Sequence, residues 1–166
     1  MNKREIIDQL KTDIYCRLAP SEHGIGVIAI RDIPKGINPF IGSMPGCIDF
    51  VGITPEELEG VDDEVVTLVK DFCPLQEGEY QLPDSGIASI DVSYYLNHSD
   101  NPNMTEEDEG ENFIASRDIK KGEFLTVDYT TYDEQIFTEE WYKEKKITEI
   151  MAGEGHVLHR IENDGC

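Results

Sequence analysis

Apolar positions along the chain repeat with two different periods, and the change from one to the other predicts the elements. Over residues 2–11, Ile6, Ile7 and Leu10 fall on one face of a polar segment, the spacing of a short helix. Ile14 to Leu18 alternates instead, predicting a strand that stops at Pro20-Ser21. The β-rich run Val27 to Ile30 follows His23-Gly24-Ile25-Gly26. Two glycines around one residue allow positive φ or a close approach of the backbone to another group. The loop suits a plain hairpin and a ligand loop equally, since Gly-x-Gly alone is a weak signal.

An internal echo organises the next part. Ile28-Ala29-Ile30-Arg31-Asp32-Ile33-Pro34-Lys35-Gly36-Ile37 aligns with Ile114-Ala115-Ser116-Arg117-Asp118-Ile119-Lys120-Lys121-Gly122-Glu123, with seven of the ten positions identical. Each copy reads as a strand, a turn closed by Lys-Gly and a second strand, Asn38 to Ile41 after the first and Phe124 to Tyr129 after the second. Two copies are too few for a solenoid, so they predict two similar β units in one mainly β domain.

The segment between the copies reads as a small helical insert. Thr54-Pro55-Glu56-Glu57 is a capping box with proline at the first helical position. Asp62 or Asp63 starts a second helix, with Val61, Val65, Leu68, Val69 and Phe72 at helical spacing, that ends before Pro74. Tyr80 to Leu82 and Ile87 to Asp91 predict short strands. Glu106 to Glu111 predicts a solvated hairpin tip, because the Asp-x-Asp-x-Asp-Gly spacing of a calcium loop is absent. Glu134 to Met151 predicts a C-terminal helix, with Ile136, Phe137, Trp141, Ile147 and Ile150 able to pack. His156 and His159 lack the further nearby ligands that a metal site needs.

Composition narrows the function classes. The chain has 166 residues, a length suited to one domain, and 39% of them are hydrophobic. Thirty-five acidic against 14 basic residues give a formal charge of −21. That balance argues against direct nucleic-acid binding, which needs cations to replace counterions on phosphates. It favours basic partners, steered over a Debye length of ~8 Å at physiological salt. No apolar run approaches the ~20 residues of a membrane span, and charge stands where a signal peptide would have its apolar core. Cys16, Cys47, Cys73 and Cys166 form no Cys-x-x-Cys pair, as expected of free thiols in a reducing compartment. An intracellular protein, nuclear or cytoplasmic, is the expectation.

The richest ten residues are Tyr94 to Asn103, two aromatics and a leucine followed by Asn97-His98 and a turn-forming Ser-Asp-Asn-Pro-Asn run. Alone they describe a buried segment ending in an Asx-type turn. Combined with three other pieces they resemble a known family. His23-Gly24-Ile25-Gly26-Val27 is similar to its N-terminal Gly-x-Gly turn, and Arg31 to Gly36 to the turn that follows. Tyr95-Leu96-Asn97-His98-Ser99 with Pro102-Asn103 resembles its Asn-His-Ser-x-x-Pro-Asn signature. Ile119 to Tyr129, ending in Asp128-Tyr129, resembles its final strand. The family is the SET-domain protein-lysine methyltransferases, and the resemblance runs in family order over residues 14–132.

The resemblance implies a fold of several short curved sheets around a C-terminal pseudoknot, one of the rare threaded topologies. It implies a single SET domain over 1–166, with a core at 14–132, a variable insert at 43–83 that helps form the substrate groove, and a C-terminal helical segment at 133–152. It also implies methyl transfer from S-adenosylmethionine to a lysine amine of a basic protein such as a histone tail. Tyr129 is the implied catalytic residue. Gly24, Ile25, Gly26, Tyr95, Asn97, His98 and Tyr129 are the implied cofactor contacts.

Departures from the family pattern carry their own expectations. Asp100 stands where many histone-directed members have a zinc-binding cysteine, and only Cys166 follows, so no metal is expected. Phe137, Trp141 or Tyr142 would then cover the channel. Val127 occupies a position tied to methyl count, which leaves mono-, di- and trimethylation open. Tyr94 replaces an arginine. These departures leave a second reading, a catalytically weak SET-derived module that binds a peptide or partner. A metal-dependent acidic-loop protein is a distant third.

Overall fold

The computed structural model describes residues 2–40, 49–107 and 112–144. The first helix, α1 (Lys3–Thr12), starts at a capping box in which Asn2 accepts from Glu5 N and the Glu5 carboxylate accepts from Asn2 N. It has the predicted place and face but buries no residue, and Ile6, Ile7 and Leu10 stay exposed. Its C-terminal end is tied down instead: Arg31 Nη1 donates to Lys11 O at 2.7 Å and Thr12 O at 3.0 Å.

Strands β1 (Cys16–Ser21) and β2 (Gly24–Ala29) form an antiparallel hairpin across the Gly-x-Gly region. Phe50–Ile53 is β3, Asp63–Phe72 is α2, Leu75–Gln76 is β4 and Glu79–Pro83 is β5. Asn97–His98 is β6, Met104–Glu107 is β7, Asn112–Ala115 is β8 and Phe124–Val127 is β9. They make three small sheets, β1-β2-β9-β6, β3-β5-β4 and β7-β8. This is the expected arrangement of several short sheets, mainly β with few helices. The main core gathers Val27, Ile33, Leu96, Met104, Ile119 and Leu125, each at most 2% exposed. A second cluster of Val69, Cys73 and Tyr80 lies under the insert.

The sequence echo becomes a reciprocal clasp. Ile33 and Ile119 exchange backbone bonds of 2.8 and 2.9 Å. Asp32 Oδ1 accepts from Lys121 N, and its counterpart Asp118 Oδ1 accepts from Lys35 N, both at 2.9 Å. Gly36 N donates to Ala115 O and Gly122 N to Ala29 O, both at 2.8 Å. Each bond from one copy is matched by its twin from the other. Both Lys-Gly turns need glycine, with φ of 83° at Gly36 and 94° at Gly122.

Four expectations require correction. The insert combines α2 with a three-stranded sheet in which the strand predicted over 80–82 is β5 and in which β3 and β4 were not foreseen, and its capping box starts a single 3-10 turn, Pro55–Leu58. Residues 43–48 of the insert lie outside the described residues. Ile87–Ser89 is a 3-10 turn instead of a strand, because Ser89 Oγ bonds Gly86 O at 2.7 Å and competes with strand pairing. After Ile37 no strand forms up to Phe40: Asn38 Oδ1 accepts from Phe40 N at 2.8 Å and turns the chain, while Ile41 lies outside the described residues. The C-terminal helix begins as a 3-10 turn, Glu134–Thr138, where Thr138 Oγ1 donates to Gln135 O at 2.8 Å. Glu139 is extended and helical backbone resumes over 140–144. Residues 145–166, and the acidic hairpin tip 108–111, lie outside the described residues.

Candidate active site

Strand β9 lies between β2 and β6, and its parallel pairing with β6 sets Asn97 opposite Thr126 and His98 opposite Val127. That register brings His98 against the backbone of Tyr129, which is distant in sequence. Tyr129 N donates to His98 Nδ1 at 3.2 Å, so Nδ1 carries no proton. His98 Nε2 is the protonated nitrogen of this tautomer and faces Asp100 Oδ1 at 3.3 Å. Asp100 thus holds an imidazole where the family pattern often places a metal ligand. Asp128 caps the 3-10 turn Tyr129–Thr131, accepting from Thr130 N at 3.0 Å and Thr130 Oγ1 at 2.7 Å.

The Tyr129 hydroxyl donates to the carbonyl oxygen of Leu96, the residue directly before Asn97. Burial pushes the Tyr129 phenol up to about 12, with the charge of Asp133 adding to the shift. It is therefore a neutral hydrogen-bonding group at physiological pH.

On the other side of Asn97 lies the Gly-x-Gly strand. Asn97 Nδ2 donates to Ser21 Oγ at 3.2 Å and Ile25 O at 3.3 Å, while no hydrogen bond among the described residues engages its carbonyl oxygen. A Cβ on Gly26 would meet Asn97 Nδ2 at 2.7 Å, so the close approach requires glycine there. Gly24 has φ of 95° and is open to solvent. Gly24 to Gly26 pair with β1 but extend beyond the β2-β9 pairing, which covers only Val27 and Ile28. The Tyr95 ring meets Phe72 of α2 edge-on at 5.2 Å.

Tyr129 and Leu96 also line a cavity of about 560 Å³, with Phe72, Tyr94, Tyr132 and Asp133 among its walls and none of Gly24, Ile25, Gly26, Asn97 or His98. The Tyr94 hydroxyl is buried without a hydrogen-bond partner among the described residues, and burial pushes it up to about 12. A second cavity of about 790 Å³ shares Gln76, Gln81, Tyr132 and Asp133 with the first. Its walls carry Glu77, Glu79, Glu106, Glu107, Asp133 and Glu134 and, among the described residues, no lysine or arginine. Trp141 and Tyr142 lie against the His98 ring at 5.7 and 6.1 Å, and Phe137 borders the second cavity. The three aromatics expected as a cover are thus divided between the imidazole and the acidic groove.

Sequence reading assigned no role to two residues that the structure makes central. Asn103, 4% exposed, donates from Nδ2 to Phe124 O at 2.8 Å and accepts from Thr126 N at 2.9 Å. Its amide thereby completes the edge of the strand that leads to Tyr129. Asp133 stands where the two cavities join. The Pro102-Asn103 pair was a signal for the first, whereas nothing local marks the second.

Among the described residues no group of three or more His, Cys, Asp or Glu side chains is arranged to hold a metal ion, and no helix is long and apolar enough to cross a membrane. The short sheets bring the Tyr129 hydroxyl, the Leu96 carbonyl and the glycine strand together beside the first cavity. The family model described as SET domain matches residues 24–130, more than half of the chain, and the chain belongs to that family. SET domains are in general protein-lysine methyltransferases. Among solved structures the chain is similar to a Plasmodium falciparum protein described as a candidate histone methyltransferase. The identity is 20% and the TM-score 0.42, over 69% of this chain and 92% of that one. No curated protein sequence matches the chain.

Proposed function

We propose that this protein transfers methyl groups from S-adenosylmethionine to the side-chain amine of lysine in a basic protein, with histone tails as the first candidates. The observation that carries the reading is the Tyr129 hydroxyl on the Leu96 carbonyl, at the point where the cavity ends and Asn97-His98 begins. Transfer to an amine is an in-line displacement, so positioning does most of the work. The amine must be neutral, and at its reference pKa of ~10.4 deprotonation near pH 7.4 costs about 4 kcal/mol. A channel walled by Phe72, Leu96, Tyr129 and Tyr132 lowers that cost by desolvating the ammonium.

The residues on the Asn97 side fit the methyl donor. The unbonded Asn97 carbonyl oxygen and the overhanging backbone of Gly24 to Gly26 are the groups that would hold its amino-acid end, and the segment at His98 would meet its adenine. When bound, the donor supplies a sulfonium-activated methyl group. The chain's own part is to fix the amine beside the Tyr129 hydroxyl and the Leu96 carbonyl and to exclude water there.

The acidic groove and the charge of −21 support a basic substrate and oppose direct nucleic-acid binding. The test is incorporation of labelled methyl from S-adenosylmethionine into histones and a panel of basic proteins. Tyr129→Phe is expected to reduce incorporation by at least about tenfold, one lost hydrogen bond to a reacting group being worth on the order of 1.5 kcal/mol. Absence of incorporation into every basic protein, with the donor bound, would favour the peptide-binding reading instead.

A further inference from the structure

Tyr129 is a neutral phenol near physiological pH and so cannot take a proton from the substrate, and the chemistry above leaves the ammonium proton without a destination. Asp133 occupies the place where such a destination is needed. Its carboxylate lines the cavity that holds the Tyr129 hydroxyl and also the acidic groove, so it faces the substrate channel on one side and a route to solvent on the other. It is held rigidly: Oδ1 accepts from Leu75 N at 3.0 Å and from Gln135 N at 2.9 Å. No hydrogen bond among the described residues engages Oδ2, which leaves that oxygen available to a ligand. The backbone on either side is fixed as well, since Asp133 N donates to Tyr129 O at 2.9 Å.

We propose that Asp133 is a catalytic residue of this site, receiving the proton of the substrate ammonium through Oδ2. This inference rests on the methyltransferase reading. The lysine ammonium gives one proton to the carboxylate, leaving a neutral amine and a neutral carboxylic acid. The amine's electron pair then forms the new N–C bond as the C–S bond of the sulfonium donor breaks, and its electrons stay on sulfur. The carboxylic acid returns its proton to water through the groove. Burial supports the first step from both sides, because desolvation disfavours the ammonium and the carboxylate together. It raises the Asp133 carboxyl above its ordinary value, with Glu134 and Glu139 adding to the rise and the two backbone donors opposing it. Asp49, Lys70, Asp71, Cys73 and Tyr94 share the first cavity with Asp133, and Glu77, Glu79, Glu106 and Glu107 share the groove. The phenols of Tyr80, Tyr129 and Tyr132 are each held above their ordinary value in part by the Asp133 charge. None of the three is an alternative base near neutrality.

The variant Asp133→Asn keeps an oxygen for Leu75 N and Gln135 N while removing the base. In the full chain with saturating donor and a methylated basic protein, kcat of Asp133→Asn is expected to fall on the order of a hundredfold or more at pH 7.4. It should then climb about tenfold per pH unit and meet the wild type near pH 10, where the amine ionises unaided. A structural defect would lower the rate equally at all pH values. Asp133→Glu, which restores a carboxylate, should recover the wild-type shape of the profile. Without any methyl donor, the carboxyl carbon resonance of Asp133 should shift when a lysine peptide is added and stay still with the norleucine analogue. A parallel pH profile for Asp133→Asn, an unchanged rate, or an unresponsive carboxyl resonance would each overturn the role. A wild-type chain that methylates nothing would remove the underlying reading, whereas an active wild type with an indifferent Asp133→Asn would remove only this inference.

Discussion

Replacing Asn103 by leucine tests how the strand carrying Tyr129 is held. The amide of Asn103 satisfies Phe124 O and Thr126 N from outside the sheet, at 2.8 and 2.9 Å. Leucine fills nearly the same space and strands both groups. Each buried backbone group left without a partner costs about 1–3 kcal/mol. Phe124 is only partly buried, so its carbonyl recovers some of this from water, and a total of about 3 kcal/mol is expected. For a chain of this size that lowers the melting temperature by roughly 6–12 °C. Urea unfolding should show a lower midpoint at an unchanged slope, and hydrogen exchange at Thr126 should accelerate before that of β1 or β2. Asn103→Asp separates the two bonds. Its carboxylate still accepts from Thr126 N but faces Phe124 O unfavourably, and protonation below about pH 4 restores a donor. A leucine variant within about 0.5 kcal/mol of wild type, or an aspartate variant equal to it at pH 7, would refute the account.

Three further outcomes follow from the geometry. Gly26→Ala should weaken S-adenosylmethionine binding measured by calorimetry, because the new methyl displaces the Asn97 amide at 2.7 Å. Gly24→Ala meets no atom and should instead cost stability, about 1–2 kcal/mol for its left-handed backbone. The raised carboxyl of Asp133 means that the native state binds a proton more readily than the unfolded one, so this group adds stability as pH falls through its native value towards ~4. Asp133→Asn should therefore be more stable than wild type at pH 8 in urea unfolding, with the difference shrinking as pH falls to 4. Glu123 and Asp32 shift the opposite way, and what they contribute is lost only at lower pH. Burial raises the thiols of Cys16 and Cys73 to about 11, so iodoacetamide at pH 7.5 should leave both unlabelled in the folded chain and label them in urea, as read by peptide mass spectrometry.

What could be read from the sequence was local or repeated. The boundaries of α2 follow from Asp62 and Pro74, residues that act on their own neighbours. The clasp was visible as an echo because both partners retain the same ten-residue pattern. The strand Phe50–Ile53 was not visible: it contains Gly52, where a Cβ would meet Glu79 Oε2 at 2.0 Å, so its pairing depends on a strand much later in the chain. Ile87 to Asp91 has strand-like composition, but serine bonds to backbone outweigh it. At the site, Asn97, His98 and Tyr129 were legible through family resemblance, since they fall in the motifs that carry it. Asp133 was not, because its meaning comes from Leu75 N and from cavities that exist only after folding.

The reciprocal clasp has a consequence for how this chain can vary. It closes one large loop, with the insert inside it, by contacts that involve neither the insert nor its length. Enlarging a flexible loop costs only about 0.6 kcal/mol for each doubling. Residues of the insert can therefore lengthen, shorten or be exchanged while Ile33 and Ile119 still meet and β9 still reaches its place beside β2. The part of the protein that would recognise a substrate is in this way separable from the clasp, provided the end of the insert at Leu75, whose N–H holds Asp133, is kept. A graft of a different insert between the clasp halves should redirect the substrate without disturbing Asn97, His98 or Tyr129.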